Sequence, residues 1–332
     1  MELFFTTLQQ VAVLLIFIFI GYFFRKKELI TESGKKVLSK LLVCLFAPCY
    51  TAMSLSKIIN VKEIVEYLTL ILAGVGLTFV LIFLGLLLSK PLAKERLQRN
   101  ILSYAFAFSN IGYFGYPVVA AIFGEVMRAQ MMLFCLPMSV AINTYGYYVL
   151  TSGAGRNTDT QKRSLKQTFS VLIAPPMLGF YAGIALGLLS SGFNFTLPKI
   201  LTDVLTIAGN CQSTPAMLLT GAVLANSSLK KLFTSLRPYL IGIIRLLLMP
   251  LIVGGMFFLL HLCGAKGELF ILIFRLSVIV SALPVGMNTV VYPESAGQDS
   301  TEGAQTCFIS YVLALGTMPL VFMLMDILVS LM

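Results

Sequence analysis

The sequence predicts an all-α polytopic membrane protein with ten transmembrane helices, arranged as two inverted five-helix repeats in which helices 4 and 9 are broken and cross. Three observations support this fold class. Hydrophobic residues make up 58% of the chain and charged residues only 11%, about half the charged fraction of a soluble domain. Apolar runs long enough to cross a bilayer as a helix recur along the chain. No alternating pattern of about ten residues recurs, which disfavours a β-barrel.

The apolar runs define ten spans, so both termini lie on the same side of the membrane. A polar link at 151–166 separates a first repeat at 1–150 from a second repeat at 167–332. Because each half has an odd number of spans, the second half enters the membrane in the opposite orientation, and any repeat between the halves must be inverted. The predicted spans are 8–24, 36–56, 66–89, 98–123, 129–150, 167–190, 198–224, 235–262, 267–292 and 304–331.

The basic residues predict the orientation of these spans. The net charge is +10, and 17 of the 24 Lys and Arg lie in or beside links 1–2, 3–4, 5–6 and 7–8. Basic residues favour the cytoplasmic side. We therefore expect a multi-pass protein of the plasma membrane with both termini outside the cell. The positive charge is interpreted as a topology signal, and nucleic acid is not an expected partner.

The residue types that build metal centres and intramembrane active sites are scarce. The six cysteines form no CxxC pair and there is one histidine, so no metal framework or cofactor site is expected. A membrane protease needs a base or a carboxylate pair inside the bilayer. Ser109 and Ser281 have neither a His nor a Lys near them in the predicted spans. The sequence therefore argues against an enzyme.

Span 4 contains a stretch that disfavours a continuous helix. The sequence "SNIGYFGYP" places Asn110, Gly112, Gly115 and Pro117 between two strongly apolar flanks. Proline removes a helix hydrogen bond and glycine weakens the surrounding helix. Unsatisfied backbone groups do not occur facing lipid, because each costs several kcal/mol there. This break is therefore expected to be buried in protein or to line a cavity.

Span 9 contains a second break in the corresponding position of the other half. Here "SALPVGMN" contains Ser281, Pro284, Gly286 and Asn288. Broken helices in matching positions of two inverted halves indicate a transporter's binding site. Their half-helix N-termini offer free N–H groups that attract anions. The two stretches together predict the substrate-binding residues.

Two pairs of prolines fit the repeat. Pro48 and Pro215 fall in the second span of each half, and Pro117 and Pro284 in the fourth. Both pairs are separated by 167 residues. Pro48 and Pro215 are accordingly predicted as helix breaks outside the stretches of spans 4 and 9, and the family resemblance described below implies that they lie on the scaffold side.

Two arginines lie within predicted spans, Arg245 in span 8 and Arg275 in span 9. A charge at membrane depth costs at least ~2.5–3.5 kcal/mol, so each should face a cavity, a carboxylate or carbonyl groups. Both are candidates to pair with an anion, and the alternative for Arg275 is that it extends to the interface. Asp203 and Asp326 lie towards span ends, where interfacial solvation is expected. The absence of a midplane carboxylate disfavours a dedicated cation exchanger.

The motif "NIGYFGYP" resembles the Asn-x-Gly-x-x-Gly-x-Pro signature in span 4 of the auxin efflux carrier family. The resemblance continues in "RLLLMPLIV" and in "ALPVGMNTVVYPESAGQDSTEGAQTCFISYVLALGTMPLVFML" and covers nearly the whole chain. It implies a short bacterial member, similar to malate or malonate permeases and related to the plant auxin exporters. The implied fold has a scaffold of spans 1, 2, 6 and 7 and a transport domain of spans 3–5 and 8–10. The implied function is elevator-type transport of a small carboxylate.

The resemblance also implies the site residues and partners. Asn110 and Pro117 match the site in span 4, and Pro284 the break in span 9. The expected partners are a small organic anion, the lipid bilayer and a second copy of the chain bound through the scaffold. Alternatives are a bile-acid- or arsenite-type carrier of related architecture, a channel, and a membrane-embedded ligand sensor. Saturable substrate dependence would separate a carrier from a channel, and a sensor would bind ligand without moving it.

Overall fold

The computed structural model describes residues 2–93, 95–151, 173, 175–225, 236–289 and 301–332. These residues form helices and connecting turns, and no β-strand occurs among them apart from one isolated bridge between Ser109 and Val285. The predicted all-α class is therefore confirmed. The link at 151–166 lies outside the described residues except for Thr151, which ends a helix.

Most helices of the described residues are α-helices, and a few short π-helical segments and one 3₁₀ turn lie between them. The α-helices are α1 (Glu2–Lys26), α2 (Glu32–Leu41), α3 (Ala47–Ser56), α4 (Ile64–Leu92), α5 (Arg96–Ala107), α6 (Tyr116–Phe134), α7 (Leu136–Ala141), α8 (Tyr147–Thr151), α9 (Pro175–Phe193), α10 (Lys199–Asn210), α11 (Ser213–Leu224), α12 (Leu236–Ile243), α13 (Met249–Leu262), α14 (Glu268–Ala282) and α15 (Thr301–Leu331). Wider π-helical segments occupy Leu42–Phe46, Ile111–Gly115, Ile142–Gly146 and Ile244–Leu248, and a 3₁₀ turn occupies Val61–Glu63.

Helices lie in each of the ten intervals predicted to span the membrane. Within the described residues, five helical stretches are both long and apolar enough to cross a bilayer: Phe5–Lys26, Val61–Leu92, Tyr116–Phe134, Leu236–Leu262 and Gln305–Leu331. The stretches Cys44–Ser56 and Met177–Phe193 are apolar but shorter. The multi-pass character is therefore supported, whereas ten crossings and an inverted repeat remain predictions.

Interruptions of the regular helix occur within several of the predicted spans. Proline follows two residues after three of the four π-helical segments, at Pro48, Pro117 and Pro250. Proline has no N–H to donate to the preceding turn, so that turn can widen by one residue without losing a further bond. Pro215 instead lies in the first turn of α11, directly after the turn at 211–212 that separates α10 from α11.

Helix α6 contains a change of direction. Gly124 has φ +86° and ψ 175°, which is not helical, so two helices meet there. A positive φ is accessible to glycine because it has no Cβ. Gly124 begins the short segment between predicted spans 4 and 5, so the bend supports that link.

Helix α9 packs very closely on α3 through a row of glycines. A Cβ added at Gly183 would lie 2.9 Å from the carbonyl oxygen of Ala52 and 2.8 Å from the Cβ of Leu55. Gly179 and Gly187 make similar backbone approaches one turn earlier and later. Glycines four residues apart let membrane helices approach at short distance and gain van der Waals contact. This pair of helices therefore forms a rigid unit.

We expect Gly183→Ala to destabilise the protein by about 1–3 kcal/mol, because overpacking a fixed helix contact forces backbone shifts. The measurement is the thermal unfolding midpoint of the purified protein in one detergent. Gly76→Ala is the matched control, since a Cβ at Gly76 would have no neighbour within 4 Å. Equal midpoints for the two variants would show that the α3–α9 contact can relax freely.

Candidate functional site

The two predicted breaks cross each other. Helix α5 ends at Ala107 and α14 ends at Ala282, and the chain that follows each is extended. The backbone N–H of Asn110 donates to the carbonyl of Pro284 at 2.9 Å, and the N–H of Gly286 donates to the carbonyl of Phe108 at 3.2 Å. The segments run antiparallel. Each break therefore satisfies backbone groups of the other, as burial in a membrane protein requires.

Helix α15 supports the crossing from one side. The amide Nδ2 of Asn110 donates to the hydroxyl of Tyr311 at 2.7 Å. The Tyr311 ring stacks on Phe114, with centroids 5.5 Å apart and an interplanar angle of 8°. The N–H of Val285 donates to Ser310 Oγ at 3.1 Å. Both breaks are thus anchored on neighbouring residues of one helix.

Arg245, in the π-helical segment before α13, lies behind the crossing. Its side chain is fully buried. Nη1 donates to the carbonyl of Phe106 at 3.0 Å, and Nη2 donates to the carbonyl of Val280 at 3.3 Å. These carbonyls belong to the last turns of α5 and α14, where helix dipoles concentrate negative charge. One guanidinium therefore neutralises the C-terminal ends of both half-helices.

Arg275 lies elsewhere, on the contact between α14 and α15. Its guanidinium pairs with Asp326 at 3.3 Å, and the two side chains are 30% and 48% exposed. Arg245 and Arg275 thus face carbonyl groups and a carboxylate, two of the three environments expected for arginines in spans. Arg245 contacts the crossing, and Arg275 contacts Asp326.

The glycines of the two breaks have different surroundings. A Cβ on Gly115 would lie 2.5 Å from Cδ1 of Leu283, so span 9 approaches the chain there. A Cβ on Gly286 would lie 3.4 Å from the carbonyl oxygens of Phe108 and Ser109. Gly112 is half-buried, with no atom within 4 Å of an added Cβ. Gly112 therefore leaves space in the break of span 4.

The other predicted site residues also lie at or beside the breaks. The Ser281 hydroxyl donates within its own helix, to the carbonyl of Val278 at 2.9 Å. Pro117 is half-buried at the second position of α6, and Asn288 is half-buried in the helical turn that follows Gly286. Pro48 and Pro215 lie on α3 and α11, outside the two broken segments. The structure thus brings the span 4 and span 9 candidates together, and α11, which carries Pro215, also contacts the π-helical segment Ile111–Gly115.

Several donors expected to face a ligand have protein partners in this conformation. The N–H groups of Asn110, Val285 and Gly286 are hydrogen-bonded across the crossing or to α15, as is the Asn110 amide. Sequence reasoning missed Tyr311. It lies within the stretch that resembles the family, but no helix break marks it, and only the fold brings it to Asn110.

Comparisons with known proteins show which family the chain resembles. A family model described as "membrane transport protein" matches residues 6–322. The chain is also 25% identical over 291 residues to an uncharacterized transporter of Methanocaldococcus jannaschii. That match covers 86% of this chain and 87% of the relative.

Proposed function

Because the chain belongs to the auxin efflux carrier family of membrane transport proteins, we propose that it is a secondary transporter of small organic anions, with the crossing of the two breaks as its substrate site. The observation that carries this proposal is the antiparallel crossing with Arg245 behind it. It combines interrupted backbone, a buried cation and an amide in one place. Broken helices at a repeat interface are the usual substrate site of secondary transporters.

The polar groups at the crossing suit a carboxylate. Asn110 supplies a side-chain donor without a fixed charge, next to the hydroxyl of Tyr311. A neutral donor holds an anion loosely enough to release it, whereas a directly bound cation could hold it too tightly. Gly112 leaves room beside these groups. Arg245 is hydrogen-bonded to two carbonyls, so its charge contributes positive potential at the crossing while its side chain stays outside the substrate site.

We propose alternating access of the elevator type, in which spans 3–5 and 8–10 move against a scaffold of spans 1, 2, 6 and 7. Two close helix contacts support a rigid scaffold. Helix α9 packs on α3 through its glycine row, and an added Cβ on Gly221 of α11 would overlap the carbonyl oxygen of Ile18 in α1. A second copy of the chain would bind through this scaffold. Malate, malonate and auxin-like acids are the proposed substrates.

The experiment that tests the function is uptake of radiolabelled malate and malonate into proteoliposomes, with and without imposed proton and sodium gradients. We expect saturable uptake of at least one carboxylate. Non-saturating flux would favour a channel, and binding without flux would favour a sensor. Strict sodium dependence, or transport of an uncharged oxyacid, would favour the bile-acid- or arsenite-type alternative.

The orientation of the chain is tested separately. In a cysteine-free background, we expect Thr6→Cys to react with an impermeant thiol reagent in intact cells, because the N-terminal end of α1 is proposed to lie outside. Ser164→Cys, in the link outside the described residues, should react only after permeabilisation. Labelling in the reverse order would overturn the positive-inside assignment.

A further inference from the structure

A cavity of about 160 Å³ lies between α3, α10 and the second half of α6. It extends from Lys57, which caps the C-terminal end of α3, to Tyr50 near the start of that helix and Asn210 at the end of α10. Glu125 and Arg128, just after the bend at Gly124, line its other wall. The cavity is thus separate from the groups that form the crossing.

Arg128 is the central charged group of this cavity. Its side chain is only 9% exposed. Nη2 donates to Ser54 Oγ at 2.5 Å, and the guanidinium lies over the Tyr50 ring, 4.0 Å from the centroid. Its Nε–H is buried and has no hydrogen-bond acceptor among the described residues. A buried guanidinium fixed by a hydroxyl and an aromatic ring is a preorganised anion receptor.

A carboxylate already occupies this receptor. Both oxygens of Glu125 engage the guanidinium, with Nη1 donating to Oε1 at 3.0 Å. The Glu125 side chain is 65% exposed, so it can leave the guanidinium for solvent at little desolvation cost. Lys57, also exposed, adds a second positive charge to the lining from the α3 side. The lining therefore carries one net positive charge when Glu125 is present and two when it swings away.

We propose that this cavity is a second anion site, in which a small external carboxylate displaces Glu125 from Arg128 and is held there with Lys57. The ligand is proposed to be a carboxylate because the Arg128 guanidinium already binds both oxygens of the Glu125 carboxylate. The site rests on the proposed function only for the choice of malonate as the probe. The anion would bind at the junction of α3 and α10 with α6, at a place separate from the crossing.

The chain contains no tryptophan, so Asn210→Trp provides a single fluorescent reporter at the exposed edge of the cavity. Purified full-length protein carrying this change is titrated with malonate in lipid nanodiscs. We expect a saturable change in emission with malonate and none with uncharged malonamide. In the same background, Arg128→Gln should weaken apparent affinity about tenfold or more.

The decisive variant is Glu125→Gln, which removes the competing carboxylate from an exposed position without disturbing the fold. We expect it to increase malonate affinity several-fold. Lys62→Gln removes the same charge as Arg128→Gln from an exposed position outside the cavity. It is the control for that variant and should leave the titration unchanged. No saturable response in the reporter protein, or weaker binding after Glu125→Gln, would overturn the proposal.

Asn110→Ala in the reporter background separates the two sites. An unchanged titration supports a site distinct from the crossing, whereas a lost response would place the binding at the crossing and overturn the second site. Malonate flux is measured on the same protein. A saturable titration without malonate flux would contradict the proposed function and support this second site. Malonate flux without a saturable titration would support the proposed function and contradict the second site.

Discussion

Arg245→Ala is expected to abolish anion uptake and to destabilise the protein by about 1–3 kcal/mol, the cost of leaving a buried carbonyl group without its hydrogen-bond donor. The substitution leaves the buried carbonyl of Phe106 without its side-chain donor. The carbonyl of Val280 loses one of two side-chain donors and keeps the hydroxyl of Ser109. The substitution also removes the positive charge between the ends of α5 and α14. Because both half-helices end there, the geometry of both breaks should change together.

The measurement is uptake by reconstituted protein together with its thermal unfolding midpoint. Arg245→Lys should recover part of the stability, since it retains the charge but lacks the fork that reaches two carbonyls. Arg275→Gln is the matched control, because its pair with Asp326 is partly exposed and lies away from the crossing. An Arg245→Ala protein with parental stability and uptake would show that the breaks hold their positions without this cation.

Asn110→Ala is expected to weaken substrate binding roughly 10- to 150-fold, the effect of losing one hydrogen bond of about 1.5–3 kcal/mol to a charged group. The Asn110 backbone bond to Pro284 does not depend on the side chain, so the crossing itself should persist. Tyr311→Phe removes the hydroxyl that accepts from the Asn110 amide. It should weaken binding only about 2- to 10-fold, as expected for a neutral hydrogen bond.

Substrate binding to the purified variants is measured by calorimetry with an anion that the parent protein transports. Asn100→Ala is the matched control, because this asparagine lies in α5, the helix before the break, and its amide donates to the carbonyl of Val149 instead of reaching the crossing. Its affinity should equal that of the parent. Unchanged affinity in Asn110→Ala would leave Asn110 as a residue that positions Tyr311 and would remove it from the substrate site.

The sequence predicted the breaks well because their signals are local. A proline and two glycines within seven residues of Asn110 mark the span 4 break, and Pro284 with Gly286 marks the one in span 9. Backbone chemistry then requires both to be buried. The structure places them against each other, although pairing between segments so far apart in the chain cannot be calculated from either motif alone.

The partners of these motifs were not predictable in the same way. Tyr311 and the carbonyls that hold Arg245 lie within helices, where no proline or glycine signal marks these positions. The glycines of α9 are spaced four residues apart in the sequence, but only the structure shows that α3 packs against them. Arg128 follows the bend at Gly124, and only the fold places its guanidinium over the ring of Tyr50.

The antiparallel contact between the two breaks also constrains how the protein is made. The N–H of Asn110 finds its acceptor at Pro284, so the first break cannot complete its backbone hydrogen bonds until the chain has been synthesised through the second. While the intervening residues leave the ribosome, the unfinished segment must wait beside water, lipid headgroups or the insertion machinery, because hydrocarbon offers no substitute partner. The first half of the chain is therefore expected to stay incompletely folded in the bilayer until the segment that contains Pro284 has been inserted beside it.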